Sequence, residues 1–167
     1  MSGTEITRRP GNHSLLVSGV AGATAAAAGL AGGVTGAVVT ALGTVVLLAG
    51  VRRATHRAVD VGGLVAFVGV VLAALGDAPA PAVLVGTAAS VVAWDAAGNA
   101  VSIGRQLGAE ADTARAETLH AATGALVGLV SAGLGLVLFE VGPTRQPVTT
   151  LFVLLVAAAL LVVALNR

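Results

Sequence analysis

Long apolar stretches separated by short polar segments run the whole length of this chain. The first, at residues 14–51, holds 38 residues without one charged side chain. Because a helix rises about 1.5 Å per residue, one helix of that length would reach nearly twice across the roughly 30 Å hydrocarbon core of a bilayer. Four glycines between residues 29 and 36 mark a turn near the middle of the stretch. The pattern therefore predicts two membrane-spanning helices that fold back on each other.

The same pattern predicts a further four spans, which makes the expected fold an all-α membrane bundle of six helices in three hairpins. The predicted spans cover residues 14–31, 35–51, 58–76, 81–97, 119–141 and 148–165. Residues 1–13 form a short tail, residues 14–167 form a single transmembrane helical domain, and a polar segment at 95–118 separates the fourth span from the fifth. All five prolines lie outside the span interiors, as unbroken helices require.

The arginines predict how this bundle is oriented. If the N-terminus is inside, eight of the nine arginines lie in inner segments and only Arg145 lies in an outer turn. This is the positive-inside bias of membrane proteins. A single span at residues 14–51 would reverse the sides of the later loops and largely remove the bias, so the arginines support two spans independently of length. We expect a multi-pass protein of the cell membrane with both termini in the cytoplasm.

Composition narrows the classes of function. Only 10% of the residues are charged and the mean hydropathy is +0.96, which excludes a soluble domain. The chain has no cysteine, which excludes disulfides and thiolate metal sites. The arginines lie at span ends rather than on one face, so we expect no nucleic-acid partner. No phosphate-binding loop or catalytic set of side chains is present, and we expect no cofactor and no enzymatic activity.

A polar stripe at the end of the fourth span is the first candidate site. Its members are spaced i, i+4, i+7 and i+11, which places them on one helix face: Asp95, Asn99, Ser102 and Gln106. The spacing predicts that the fourth helix continues to about Leu107. The stripe is either a groove that admits an ion, a proton or a partner, or the water-facing side of a helix that emerges from lipid.

The second candidate site is a docking surface for a cytosolic partner. It comprises the charged residues at the end of the stripe and in the segment after it, together with a histidine: Arg105, Glu110, Asp112, Arg115, Glu117 and His120. Charged surfaces of this kind steer and orient protein partners, although a solvated connector with weak ion pairs has the same composition. Glu117 and His120 also have a metal-binding spacing, but only one copy is present where di-iron bundles need two. We expect a hydrogen bond between them instead.

Small residues on the fifth span predict a helix-packing seam. Gly124, Gly128, Ala132 and Gly135 recur at helical spacing, and small residues let helix backbones approach closely in lipid.

The central polar segment also carries a family resemblance. The stretch WDAAGNAVSIGRQLGAEADTARAETLH, from Trp94 to His120, together with the basic start at residues 6–10, resembles an uncharacterised family of small haloarchaeal multi-spanning membrane proteins, a domain of unknown function. The genes of that family lie near those of MoxR-type ATPases. The resemblance implies a membrane location and a MoxR-type ATPase system as the cytosolic partner. It implies no catalytic residue.

Two functions fit these observations. The first is a non-enzymatic membrane component that docks a cytosolic partner through residues 95–120. The alternative is a small transporter or channel subunit that assembles as a homo-oligomer. No ionisable residue falls at the centre of a predicted span, and transporters of protons and charged substrates usually place one there, so we favour the first. A membrane enzyme is the third and weakest hypothesis.

Overall fold

The protein is all-helical throughout the part that the computed structural model describes, residues 12–107 and 114–142. The elements are α1 (Asn12–Gly29), a short 3-10 helix (Leu30–Gly32), α2 (Val34–Arg52), α3 (His56–Leu75), α4 (Ala80–Leu107) and α5 (Ala114–Val141). The predicted all-α class is confirmed for these residues. The predicted sixth span at 148–165 lies outside them, so the number of six helices and the arrangement in three hairpins stay predictions.

The long uncharged stretch is broken into two helices, as its central glycines predict. The 3-10 helix Leu30–Gly32 closes α1, and Gly33 then adopts φ 111° and ψ 165°. This region of backbone space is open almost only to glycine. The Gly33 N–H donates a hydrogen bond to the Leu30 carbonyl at 3.0 Å, and α2 begins at the next residue. The turn is therefore encoded by the local sequence.

Among the described residues, five helices are long and apolar enough to cross a membrane: His13–Gly32, Val34–Arg52, His56–Leu75, Ala80–Arg105 and Thr118–Leu138. Their length and composition are consistent with a membrane protein. Helices α4 and α5 each contain 28 residues, or about 42 Å of rise, so each exceeds a roughly 30 Å hydrocarbon core by about 12 Å. Helix α4 reaches Leu107, the end point that the polar stripe predicts.

Helices α1 to α4 form a ring in which each contacts the next and α4 returns to contact α1. Short turns join successive helices, so neighbours run antiparallel. The most extensive contact is between α2 and α3, which belong to different predicted hairpins. The described residues up to Leu136 belong to one compact unit, and the end of α5 from Val137 belongs to a second.

Glycines allow the backbones of α2 and α3 to touch. Three on α2 (Gly36, Gly43 and Gly50) and three along α3 and its end (Gly62, Gly69 and Gly76) each recur every seven residues. A Cβ atom built on Gly43 would lie 2.2 Å from the Ala66 nitrogen, and one on Gly62 would lie 2.3 Å from the Leu47 nitrogen. Side chains larger than hydrogen do not fit there, which is the small-residue packing expected of helices in lipid.

One end of the ring carries most of the described arginines. Arg52, Arg53 and Arg57 lie at the turn between α2 and α3. Arg105, near the end of α4, donates from Nη2 to the carbonyl of Ala54 in that turn at 2.8 Å. This hydrogen bond ties the end of α4 to the α2–α3 turn, and we call this part of the molecule the arginine-rich end.

Candidate functional site

The structure joins the two candidate sites through one pair of side chains. Nε2 of His120 on α5 lies 2.7 Å from Oδ2 of Asp95 on α4. The His120 and Asp95 side chains are 46% and 54% exposed. Asp95 comes from the predicted polar stripe and His120 from the predicted docking surface, so residues 25 positions apart form one site. The predicted hydrogen bond between Glu117 and His120 stays a prediction; the contact that the structure shows for His120 is with Asp95 of the neighbouring helix.

The rest of the stripe faces neighbouring helices as well as solvent. Asn99 is partly buried and lines a small recess with Ser14 of α1 and His120 of α5. The Ser102 hydroxyl donates to the carbonyl of Gly98 within α4 at 3.0 Å. Gln106 lies in the last turn of α4. The stripe is therefore one face of a continuous helix, and its part nearest Asp95 is turned towards α1 and α5.

The predicted docking surface is only partly within the described residues. Arg105 is held by the α2–α3 turn, and Arg115 is exposed in the first turn of α5. Glu117 lies one turn before His120 in α5, while Glu110 and Asp112 lie outside the described residues. Partner docking through this surface stays a prediction.

Further polar contacts at the same depth were not predicted from sequence. The Trp94 indole Nε1 donates to Oδ1 of Asp60 on α3 at 3.1 Å. On the opposite side, Oγ1 of Thr118 lies 3.4 Å from Nε2 of His13 in α1. Asp60 and Asp95 each lie 15 positions from the far end of their helix, or about 22 Å. These contacts therefore lie towards the arginine-rich end of the apolar helices, linking α3 to α4 and α5 to α1.

A weak signal for the Asp60 contact was present in the sequence. An indole beside a carboxylate near a predicted span end suits the head-group level, where its N–H needs an acceptor. Only the fold shows that Trp94 of another helix reaches Asp60.

An open cleft separates α4 from α5. Its volume is about 630 Å³, and it extends from Leu84 to Asp95 on α4 and from His120 to Ala132 on α5. Valines and small residues line most of it, and the Asp95–His120 pair lies at one end. The cleft is therefore an apolar space with a single charged end.

The predicted small-residue seam on α5 forms a wall of this cleft. A Cβ atom built on Gly128 would lie 3.5 Å from the Ala88 Cβ, and one on Gly135 would lie 3.6 Å from Leu84 Cδ2. These are ordinary contact distances, unlike the 2.2 Å found between α2 and α3. None of the apolar span of α5 is buried, against 44% of the α2 span. The small residues thus face α4 but do not close the space between the helices.

No group of three or more metal-ligating acids or histidines occurs within residues 12–107 and 114–142. The Asp95–His120 pair supplies one carboxylate and one imidazole. This pair is suited to hydrogen bonding and to recognition of a charged group.

Comparison with known proteins places the chain in a family without assigned activity. The model described as "Family of unknown function (DUF7519)" matches residues 8–162, so the chain belongs to that family. No curated protein matches the sequence, and no solved structure matches it. Function must therefore be argued from the residues of the chain itself.

Proposed function

We propose, from this family membership and from the geometry of the arginine-rich end, that the protein is a non-enzymatic membrane component that docks a cytosolic partner through residues 95–120. The observation that carries the proposal is the length of α4 and α5, each about 12 Å longer than a hydrocarbon core. In the proposed membrane orientation the excess extends into the cytoplasm, because it lies where the arginines are.

Two contacts hold the extension of α4 in a fixed position for a partner. The Arg105–Ala54 hydrogen bond fixes it to the α2–α3 turn, and the Asp95–His120 contact joins it to α5. A pre-organised surface loses less conformational entropy on binding than a flexible one. Both contacts therefore favour a stable position for the end of α4.

Charge indicates the chemistry of the partner. Residues 95–120 contain four acids and two arginines, for a net charge of −4 + 2 = −2 with histidine neutral. A basic protein surface is the complementary partner. The sequence resemblance suggests a MoxR-type ATPase system as the first partner to test.

Charge reversal tests this docking. The triple variant Glu110→Arg, Asp112→Arg and Glu117→Arg should lose the protein that co-purifies with the wild type, because the surface becomes strongly basic. Asp77→Asn is the control, since Asp77 lies in the turn between α3 and α4, which the proposal places outside the cell. Recovery of the same partner with the triple variant would show that docking does not use this segment.

A reporter fused to the C-terminus should be active only in the cytoplasm.

The cleft favours a second function, that of a small transporter or channel subunit. Asp95 lies at the end of an open space of about 630 Å³, and a carboxylate in an apolar span marks many transport paths. Flux through proteoliposomes that is lost in Asp95→Asn or Asn99→Ala would favour transport over docking.

A further inference from the structure

We propose that the cleft between α4 and α5 binds a single-chain amphiphile whose head group donates hydrogen bonds, such as an amine or an alcohol. The chain would lie between the helices, and the head group would meet the Asp95–His120 pair. This inference goes beyond partner docking and does not depend on it, because it rests on the cleft rather than on the segment after α4.

The size and lining of the cleft suit an alkyl chain. Its volume of about 630 Å³ lies within the usual range of about 300–1,000 Å³ for ligand sites. From Leu84 to Asp95 it follows 12 residues of α4, a rise of about 16 Å, which is close to the length of an extended dodecyl chain. Apolar cavities stay free of water and take up apolar ligands.

Within the described part of the chain, the contacts between α4 and α5 leave this space unfilled. Gly124 and Gly128 bring α5 only to ordinary contact distance from Asp95 and Ala88. Val91 and Val127 both line the cleft. In a bilayer the space between the helices is therefore accessible to a hydrocarbon chain.

The single charged end selects the head group and sets its direction. An ionised carboxylate only accepts hydrogen bonds, and the Asp95 side chain is 54% exposed, so it retains accepting capacity beyond its contact with His120. An amine or hydroxyl head complements it, whereas a carboxylate head would be repelled. The other end is lined by Leu84 and Ala132 with the hydroxyl residues Thr87 and Ser131 beside them, so a head group there would meet neutral hydroxyls and no charged partner.

A titration of the full-length protein followed by native mass spectrometry tests this site. The probes are dodecylamine, dodecanol and dodecanoate, which share one chain length and differ in the head group. We expect one molecule of dodecylamine or dodecanol to bind per protein. The affinity for dodecanoate should be at least about tenfold lower. Dodecanoate binding as tightly as dodecylamine would overturn the proposed recognition by Asp95.

A matched pair of glycine variants tests the location. Gly128→Leu places a large side chain in the cleft and should reduce binding of both favoured probes about tenfold or more. In Gly133→Leu the same side chain meets no described atom within 4 Å of its Cβ position, and binding should be unchanged. An equal loss of probe affinity in both variants, or no loss in either, would show that the probes bind elsewhere.

A third variant separates head-group recognition from folding. Asp95→Asn keeps the size of the side chain and removes its charge, so dodecylamine should lose about tenfold in affinity while dodecanol loses less. An equal response of the two probes would contradict the charge argument. An amine- or hydroxyl-headed membrane lipid and a free amphiphile share this chemistry, and the mass of any adduct on protein extracted from its own membrane distinguishes them.

Discussion

The α2–α3 seam gives the sharpest prediction about the fold, through the substitution Gly43→Ala. A Cβ atom at residue 43 would lie 2.2 Å from the Ala66 nitrogen and 2.7 Å from both the Ala66 Cα and the Gly62 carbonyl oxygen. All three neighbours are backbone atoms, which cannot rotate away. Ordinary contact begins at 3.4 Å, so the helices must separate locally by about 3.4 − 2.2 = 1.2 Å.

The cost of that separation can be estimated. Overpacking a core costs about 1–3 kcal/mol, and alanine recovers up to about 1 kcal/mol of helix propensity. The separation also lengthens the contact of the Thr40 hydroxyl with the Ala66 carbonyl, now 3.3 Å. We expect a net destabilisation of about 2 kcal/mol, which corresponds to a fall of about 5 °C in the melting temperature.

Thermal unfolding of the purified protein in detergent measures this effect. Gly133→Ala on α5 is the matched control, because none of the residues that the structure describes lies within 4 Å of its Cβ position; its melting temperature should be unchanged or higher. If the two alanine variants melt at the same temperature, the close approach of α2 and α3 is refuted. A Gly62→Ala variant should resemble Gly43→Ala, since its Cβ atom would meet the opposite backbone at 2.3 Å.

Two further predictions concern the turn after α1 and the position of α5. In Gly33→Ala the added Cβ atom meets no described atom within 4 Å, but the residue must adopt φ 111°. Backbone strain alone should therefore lower the free energy of unfolding by about 1–3 kcal/mol. Thermal unfolding measures this effect, and an unchanged melting temperature would contradict this backbone geometry. The chain has no cysteine, so an introduced pair can be tested alone. Ala88→Cys with Gly128→Cys should form a disulfide on oxidation, because the Cβ atoms would lie 3.5 Å apart, within the usual range. Ala88→Cys with Gly133→Cys should remain reduced, and equal cross-linking of the two pairs on a gel would mean that α5 lies differently against α4.

Much of the fold follows from local sequence. The apolar stretches predict the helices because burial in lipid depends on the composition of each segment. Gly33 encodes the break in the first stretch because few other residues adopt its backbone conformation. The spacing from Asp95 to Gln106 predicts the extension of α4 because polar residues at that spacing share one face.

The candidate site could be predicted only in part. The sequence singled out Asp95 and His120 separately, one as part of a stripe and the other as part of a docking surface. Their pairing depends on α4 and α5 lying antiparallel at a particular register, and no local pattern determines that register. The same holds for the Trp94–Asp60 contact, whose residues lie 34 positions apart.

What the sequence determined by itself is which segments are helical and where they break; what the tertiary structure decided is which faces meet. In water, an apolar stripe shows which side of a helix faces the core. In lipid, apolar side chains suit both the protein interior and the surroundings, so packing decides the neighbours. The glycines that recur every seven residues on α2 and α3 lie where two backbones touch, whereas the small residues of α5 line an open cleft on their α4 side. Only three-dimensional contact distances distinguish these two uses of small residues.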